Sequence, residues 1–240
     1  MSGQITGREP RLMTGLETKV ERRLSLRRFA TMLNVLPPES VSLEAVREAI
    51  HNEEFLVRFN AAKLLARRGD RDSRMIMEEV LKHSDIRARA SVARHLYGLS
   101  WYSAEPLLNL ALADSDARVR EAAMYALADL RDLNAYQLMI RALKDEESDD
   151  VREAAAFGLR DCQDSAAVPV LQEAFKARDP EVRIKVLEAL GANNTAEAMP
   201  VVRQGLNDPF GYVKYAATLS LLELGGATML EDMADRKSVV

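Results

Sequence analysis

The chain has 240 residues, of which 48% are hydrophobic but only 5% aromatic, and its 33 Arg and Lys against 37 Asp and Glu give a formal net charge of −4. The scarcity of glycine and proline and the lack of an alternating apolar pattern predict an all-α protein, and no stretch approaches the length of a transmembrane helix. The single cysteine, Cys162, excludes an internal disulfide and favours a reducing compartment. Because the first ten residues are polar and do not resemble a signal peptide, we expect a cytoplasmic protein.

The first predicted element lies in residues 1–40, a basic N-terminal segment. Residues 1–36 contain seven Arg or Lys and three Glu, a net charge of +4, so the remaining chain sums to −8. An amphipathic helix ending at Pro37-Pro38 is predicted from the apolar stripe Leu16, Val20, Leu24, Phe29 and Leu33. The segment is interpreted as partly disordered or as a capping helix that neutralises the acidic remainder. Its paired arginines at 22–23 and 27–28 alternatively provide a surface for an acidic partner or an anionic membrane.

One short pattern then recurs six times, at intervals of roughly 30 residues. Each copy opens on Val or Ile followed by Arg or Lys, and the copies begin at Val57, Ile86, Val119, Val151, Val182 and Val213. A period of this length marks stacked repeats, in which no single unit buries its apolar face alone. We therefore predict one elongated repeat domain over residues 41–234.

Residues 165–191 show the parts of one repeat. Ser165 precedes a first helix over 166–177, and Asp179-Pro180 supplies an N-cap and a first-turn proline for a second helix that ends at Gly191. Each unit is thus a helical hairpin of ~30 residues. About six such hairpins predict a right-handed α-solenoid, capped by a lone helix over 226–234 and followed by a flexible tail, 235–240.

The Asp-x-x-Val-Arg-x-x-Ala-Ala strings, as at Asp116 to Ala123 and at Asp179 to Arg183, resemble the HEAT-repeat family, in particular its short bacterial form similar to phycobilisome-lyase repeats. The resemblance covers roughly residues 42–234 and implies a solenoid rather than a particular activity. It also implies a structural ladder between successive repeats, formed by Arg58, Arg87, Asp116, Arg120, Arg152, Asp179, Arg183 and Lys214. His83 in place of an aspartate and the insertion Phe210-Gly211-Tyr212 depart from the pattern and predict less regular junctions.

The second helices carry apolar residues away from their core stripe. Counted from the first Val or Ile, these residues occupy positions +2, +5, +6 and +9, where a solvated helix would be polar. Because second helices line the concave face of a HEAT-like stack, we predict a partner-binding groove formed by Phe59, Val92, Met124, Tyr125, Phe157, Ile184, Leu187, Tyr215, Leu219 and Leu222. The competing interpretation is that tight curvature of the superhelix, or the N-terminal segment folding back, buries much of this surface. The strongest contact candidates are Tyr125, Phe157 and Tyr215.

Nothing in the chain indicates catalysis. The histidines His51, His83 and His95 match no metal-binding spacing, and Cys162 is flanked by carboxylates that disfavour its thiolate. No phosphate-binding glycine loop is present. We therefore predict no catalytic residue, no metal and no cofactor. The acidic excess of residues 37–240 argues against specific nucleic-acid binding.

The function that follows is a non-catalytic scaffold or adaptor, which presents a concave helical surface to a helix or extended segment of a partner protein. Two alternatives stay open. The resemblance to phycobilisome lyases implies a bilin lyase or a chaperone subunit that handles the chromophore of phycobiliproteins. A DNA-base glycosylase on a HEAT-like solenoid is less favoured, because it requires a basic concavity with a catalytic carboxylate.

Overall fold

A computed structural model describes residues 19–162, 167–193 and 196–225, and this part of the chain contains thirteen α-helices, four short 3-10 helices and no strand. The helices are α1 Lys19–Val35, α2 Leu43–Ile50, α3 Phe55–Arg68, α4 Arg71–Leu81, α5 Ile86–His95, α6 Trp101–Leu112, α7 Ala117–Leu130, α8 Leu133–Asp145, α9 Asp149–Gly158, α10 Ala167–Ala174, α11 Pro180–Asn193, α12 Met199–Gly205 and α13 Gly211–Gly225. The all-α prediction is confirmed. The helix predicted over 226–234 and the tail over 235–240 lie outside the described residues.

The chain divides into two compact units, Met1–Ala126 and Leu127–Val240, with the boundary inside α7. In the first unit α1, α3 and α5 pack side by side, while α2 pairs with α3 and α4 with α5. In the second unit α9, α11 and α13 pack side by side, while α8, α10 and α12 pair with them in turn. Each unit is therefore two layers of helical hairpins. We call α3 and α5 the second-helix layer of the first unit, and α9, α11 and α13 that of the second unit.

Local sequence signals account for the helix ends. The N-cap side chains of Ser42, Asp70 and Asp132 accept hydrogen bonds from backbone amides in the first turns of α2, α4 and α8. Small residues let the second helices approach closely: a Cβ added at Gly191 in α11 would lie only 2.8 Å from the Cβ of Ser220 in α13. Gly191 therefore serves helix packing, and α11 continues past it to Asn193.

The N-terminal helix α1 packs along α3. The Asn60 side-chain amide donates to the Ala30 carbonyl oxygen at 2.8 Å, and Lys63 Nζ donates to Asn34 Oδ1 at 3.1 Å. Ala30 and Leu33 are buried at this contact. The helix ends at Val35, two residues before Pro37, because a residue that precedes proline is disfavoured in the helical conformation.

The repeat is more regular than the sequence pattern suggested. In five repeats an arginine in the first turn of the second helix donates through Nη1 to the carbonyl oxygen six residues before it. These bonds are Arg58 to Asn52 at 2.7 Å, Arg89 to His83 at 2.7 Å, Arg120 to Asp114 at 2.8 Å, Arg152 to Glu146 at 2.6 Å and Arg183 to Ala177 at 2.7 Å. The second copy therefore begins at Ala88-Arg89, and its placement at Ile86-Arg87 was wrong by two residues.

The acidic half of the predicted ladder also needs correction. Arg89 donates through Nε and Nη2 to the two carboxylate oxygens of Asp114 at 2.6 and 3.0 Å. Arg183 holds Asp208 in the same way, at 2.8 and 3.0 Å, and both pairs are buried. The repeat-to-repeat ladder thus uses carboxylates 25 residues beyond the arginine, at the end of the next first helix.

The remaining predicted ladder residues have local roles. Arg87 pairs with Asp85 at 3.3 Å, and Asp116 accepts from the backbone amide of Arg118 at 3.0 Å. Asp179 accepts from the amide of Glu181 at 2.8 Å, as an N-cap does. These aspartates lie nearest the free amides of their own helices, so they cap α5, α7 and α11 instead of joining repeats. Two more residues of the predicted ladder do not pair with another repeat in this way. Arg152 pairs with Asp149 in its own helix, and Lys214 is exposed.

The junction after the first hairpin lacks its carboxylate. His83 occupies the place that Asp114 and Asp208 hold in other repeats, and its Nδ1 accepts from the Asp85 amide at 3.1 Å. Consequently the Nε of Arg58 is buried and has no hydrogen-bond partner in the described structure. An unsatisfied buried donor destabilises a fold, so this junction is weaker than those at Arg89 and Arg183.

We expect His83→Asp to raise the unfolding free energy by about 1–2 kcal/mol, because its carboxylate would accept from Arg58 Nε. The gain should exceed the lost ring contact between His83 and His51, whose centroids lie 4.5 Å apart. Urea unfolding at pH 7.5 measures the change, and His83→Asn is the uncharged control, expected to gain less than half as much. No gain for His83→Asp would show that Arg58 does not use this acceptor position.

Candidate partner-binding surfaces

The corrected register defines which second-helix positions reach the surface. With Val57, Ala88, Val119, Val151, Val182 and Val213 as position zero, every zero residue is buried. Position −1 is exposed in all six repeats, and positions +2 and +6 are exposed or half-buried. Position +5 is buried in five of the six.

The predicted groove is therefore smaller than the sequence suggested. Met124 and Leu187 stand at position +5, and Val92 stands at +4 in the corrected register; all three are buried and are not available to a partner. Half-buried positions are held by Phe59, Tyr125, Ile184 and Leu222. Exposed positions are held by Phe157, Tyr215 and Leu219, with 43%, 64% and 44% of their surface accessible.

In the first unit, Phe59 covers a buried histidine. The Phe59 ring meets the His95 ring edge-on, with centroids 4.3 Å apart, and His95 is only 1% exposed. Because a carbonyl oxygen can only accept, the His95 Nδ1–H donates to the Ser91 carbonyl at 2.8 Å. Burial lowers the pKa of His95 to about 4, against the opposing effect of that hydrogen bond and with the help of charges on Arg94 and Lys63.

Tyr125 belongs to a cation–aromatic cluster in the same unit. The Arg94 guanidinium lies 5.6 Å from the ring centroid of Tyr125 and 5.6 Å from that of Tyr97. The arginine therefore covers part of the Tyr125 ring. This arrangement offers a partner a cation framed by aromatic surface, where the sequence predicted a purely apolar anchor.

The second unit contains a trough of about 290 Å³. It lies between α11, α13 and the 3-10 helix Leu159–Asp161 that follows α9. Its walls are formed by Arg160, Ile184, Glu188, Tyr212, Tyr215, Ala216, Leu219, Ser220 and Glu223. Ala216 and Ser220 are buried beneath it, whereas Tyr212 and Tyr215 stand above them. Small residues under large exposed rings leave space for a side chain of a partner.

Tyr212 is the residue that the sequence prediction missed, and it is 82% exposed. It stands at position −1 of the sixth repeat, equivalent to Glu181 of the fifth, in the first turn of α13. The repeat length alone predicts the position of Tyr212, because Tyr212 follows Glu181 by the same number of residues as Val213 follows Val182. The run Phe210-Gly211-Tyr212 departs from the sequence of the other copies, and this conceals the regular helical position of Tyr212.

Charged side chains border the trough and are partly paired. Arg160 lies 3.7 Å from Glu223, and Lys185 Nζ lies 3.2 Å from Glu188. Burial raises the pKa of Glu153 in α9, with Glu181, Asp150 and Asp179 adding to the rise against the charge of Lys185. The border is thus mixed in charge, and the apolar walls distinguish the trough from its surroundings.

The described residues form neither a metal site nor a membrane-spanning helix. In the described ranges, no three side chains among His, Cys, Asp and Glu lie close enough together to hold a metal ion. No helix in those ranges is long and apolar enough to cross a bilayer. Cys162 is buried and forms no disulfide.

These features define the class: an all-α repeat protein in which two-layered helical hairpins recur at intervals of roughly 30 residues. The chain belongs to the HEAT-repeat family, whose model matches residues 76–160 and 146–222. No curated protein matches the chain in sequence.

Solved structures agree on the fold. The Escherichia coli protein YibA is similar with a TM-score of 0.63 and 19% identity, over 87% of this chain and 77% of that chain. A designed armadillo repeat protein in complex with peptide (KR)4 is similar with a TM-score of 0.51 and 14% identity, over 77% of this chain and 100% of that chain. The CpcE–CpcF complex of phycocyanin lyase from Nostoc sp. gives a TM-score of 0.47 at 21% identity, over 82% and 68%, which is too distant to inform function.

Proposed function

We propose that this protein is a non-catalytic scaffold that binds an apolar segment of a partner protein in the trough of its second unit. The carrying observation is the exposure of two tyrosines, Tyr212 and Tyr215, beside Leu219 and above a floor of small residues. Exposed clusters of aromatic and aliphatic side chains mark contact sites, and tyrosine is enriched among the residues that dominate binding energy.

The size of the trough favours side chains over a whole ligand. Small-molecule pockets usually enclose about 300–1,000 Å³ and cover most of their ligand. A shallow volume of about 290 Å³ instead fits one or two apolar side chains of a helix or extended segment. No observation favours the chromophore-handling or glycosylase alternatives, so we propose neither.

The helical packing supports the proposal by holding the anchors in place. Ser220 Oγ donates to the Leu187 carbonyl at 2.8 Å, which ties α13 to α11 directly under the trough. Rigid anchors lose little conformational entropy on binding. We extend to this chain the general capacity of repeat proteins to bind a peptide, as the designed armadillo protein does, but not that peptide's sequence. We also expect it to act in the cytoplasm, since a chain with a single cysteine has no internal disulfide.

We expect peptides selected from a random 12-residue phage library on the wild-type protein to carry paired apolar residues. Replacing Tyr212 and Tyr215 together with Ala should weaken the best peptide at least about tenfold, because each tyrosine contributes an anchor worth ~1–2 kcal/mol. Fluorescence anisotropy of the labelled peptide gives the affinity, and circular dichroism checks the helical content.

The matched control is Tyr102→Ala, which removes a tyrosine that is 88% exposed in α6 and far from the trough in sequence. This variant should bind the same peptide within about twofold of wild type. The proposed function would be wrong if the Tyr212→Ala, Tyr215→Ala variant bound the peptide as tightly as wild type, or if the library yielded no binder.

A further inference from the structure

The second-helix layer of the first unit is strongly basic, although the whole chain is acidic. Helices α3 and α5 together contain seven Arg or Lys residues and no Asp or Glu. The first helices of the same hairpins are different, since α2 and α4 each carry more acidic than basic residues. The net charge of −4 therefore hides a positive layer.

Three of these seven cations pair with carboxylates, and two more are held by carbonyl contacts or by aromatic rings of their own unit. Arg68 pairs with Asp70, Arg87 with Asp85, and Arg89 with Asp114. Arg58 donates to the carbonyl oxygens of Asn52 and Glu53, and Arg94 lies over two tyrosine rings. The other two are Lys63 and Arg67.

Lys63 and Arg67 contact neutral groups on α1. Lys63 Nζ donates to Asn34 Oδ1 at 3.1 Å, and Arg67 Nη1 donates to the Asn34 carbonyl oxygen at 3.0 Å. A neutral acceptor does not cancel the charge of a lysine or arginine, which is still able to attract an anion.

These two cations lie on one surface with a third. Arg67 lies one helical turn beyond Lys63 on α3, and both reach Asn34. Exposed Arg27 lies seven residues before Asn34, on the same side of α1. We call Arg27, Lys63 and Arg67 the basic face. Arg94 stands on α5 at the position equivalent to Lys63, and the charges of both lower the pKa of His95.

We propose that the basic face binds an acidic segment of a partner protein, with Asp or Glu side chains bonded to Lys63 and Arg67. The charge complementarity is the basis of this assignment, because clustered cations steer and orient an anionic partner. Exposed Leu56, on the same helix at position −1, gives the segment one apolar contact beside the charges.

A protein segment fits the basic face better than a nucleic acid. The face consists of three cations on α1 and α3. A phosphate backbone would continue beyond them, whereas an acidic segment can end there. Lys63 and Arg67 are four residues apart on α3, and this ~6 Å rise matches that between Glu residues four apart on a partner helix.

The test measures anisotropy of a fluorescein-labelled decapeptide of glutamate at pH 7.5, in 50 and 300 mM NaCl. We expect binding that weakens with salt, and at least about tenfold weaker binding for the double variant Lys63→Glu, Arg67→Glu. The control is Arg71→Glu with Lys144→Glu, both exposed positions outside the basic face, which changes the net charge equally. It should bind within about twofold of wild type.

Three results would overturn the proposal: no binding of the glutamate peptide in 50 mM NaCl, equal weakening by the control variant, or tighter binding of a labelled ten-residue oligo-dT. The last result would assign the face to single-stranded nucleic acid. The basic face is independent of the trough, since it uses no residue of 127–240. Failure of one proposal therefore leaves the other standing.

Discussion

Asp208→Ala is expected to lower the unfolding free energy by about 3–5 kcal/mol, because it leaves the Arg183 guanidinium buried without its carboxylate. Both side chains are less than one-tenth exposed, and two charge-assisted hydrogen bonds join them at 2.8 and 3.0 Å. Asp208 also accepts from the Phe210 amide at 2.9 Å, so the entry to α13 loses a cap. Urea unfolding followed by circular dichroism at 222 nm measures the loss.

The control is an ion pair on the surface. Glu173 and Lys176 are each more than 70% exposed, so Glu173→Ala should cost no more than about 0.5 kcal/mol. The double variant Arg183→Met, Asp208→Ala completes a double-mutant cycle. Its unfolding free energy should fall by less than that of Asp208→Ala alone, because no uncompensated charge stays buried. A loss below about 1 kcal/mol for Asp208→Ala would mean that the ladder contributes little to the stability of this junction.

The hairpins could be predicted from the sequence because their signals are local. Asp179-Pro180 does begin α11 as predicted, and Ser42 and Asp70 cap α2 and α4 in the same local way. Such caps act within one turn, so a short window of sequence contains all the interacting groups. The strings that resemble HEAT repeats are equally short, so the fold class could also be predicted from local sequence.

The register of the second repeat could not be read from a short window. Ile86-Arg87-Ala88-Arg89 contains two arginines two residues apart, each after an apolar or small residue. Only the contact with Asp114, 25 residues later, shows that Arg89 is the ladder arginine. A strict period, counted from Arg58 with the interval that separates Arg152 from Arg183, would have selected it. Ile86 resembles the valine that opens the other copies more closely than Ala88 does, so the local pattern favours the wrong start.

The predicted groove failed in part because exposure depends on the spacing between helices. Met124 and Leu187 face away from the core stripe of their own helices, but both are buried, and the Leu187 side chain lies against Gly205 of the neighbouring helix α12. A helical wheel treats one helix alone and does not include that neighbour. The same limit applies to charge: the total of −4 concealed seven cations on α3 and α5.

Acidification is expected to weaken the wild-type fold through His95. In the folded state its pKa is about 4, below the value of 6.5 that it has when exposed. Between these two values the unfolded chain binds a proton that the folded chain does not, so stability falls as pH drops from 6.5 to 4. A difference of this size corresponds to about 3 kcal/mol, nearly complete below pH 4.

His95→Gln removes the titration and keeps a side-chain amide that can donate to the Ser91 carbonyl. We therefore expect wild type to lose about 2–3 kcal/mol more than this variant between pH 7 and 4.5, whatever their relative stability at pH 7. Carboxylates with low pKa, such as Asp70 and Asp116 at about 2, titrate below this window and act equally on both proteins. If wild type and His95→Gln instead lose stability equally as the pH falls, protonated His95 must become solvent-exposed. Phe59, whose ring contacts His95, would then be displaced at little energetic cost.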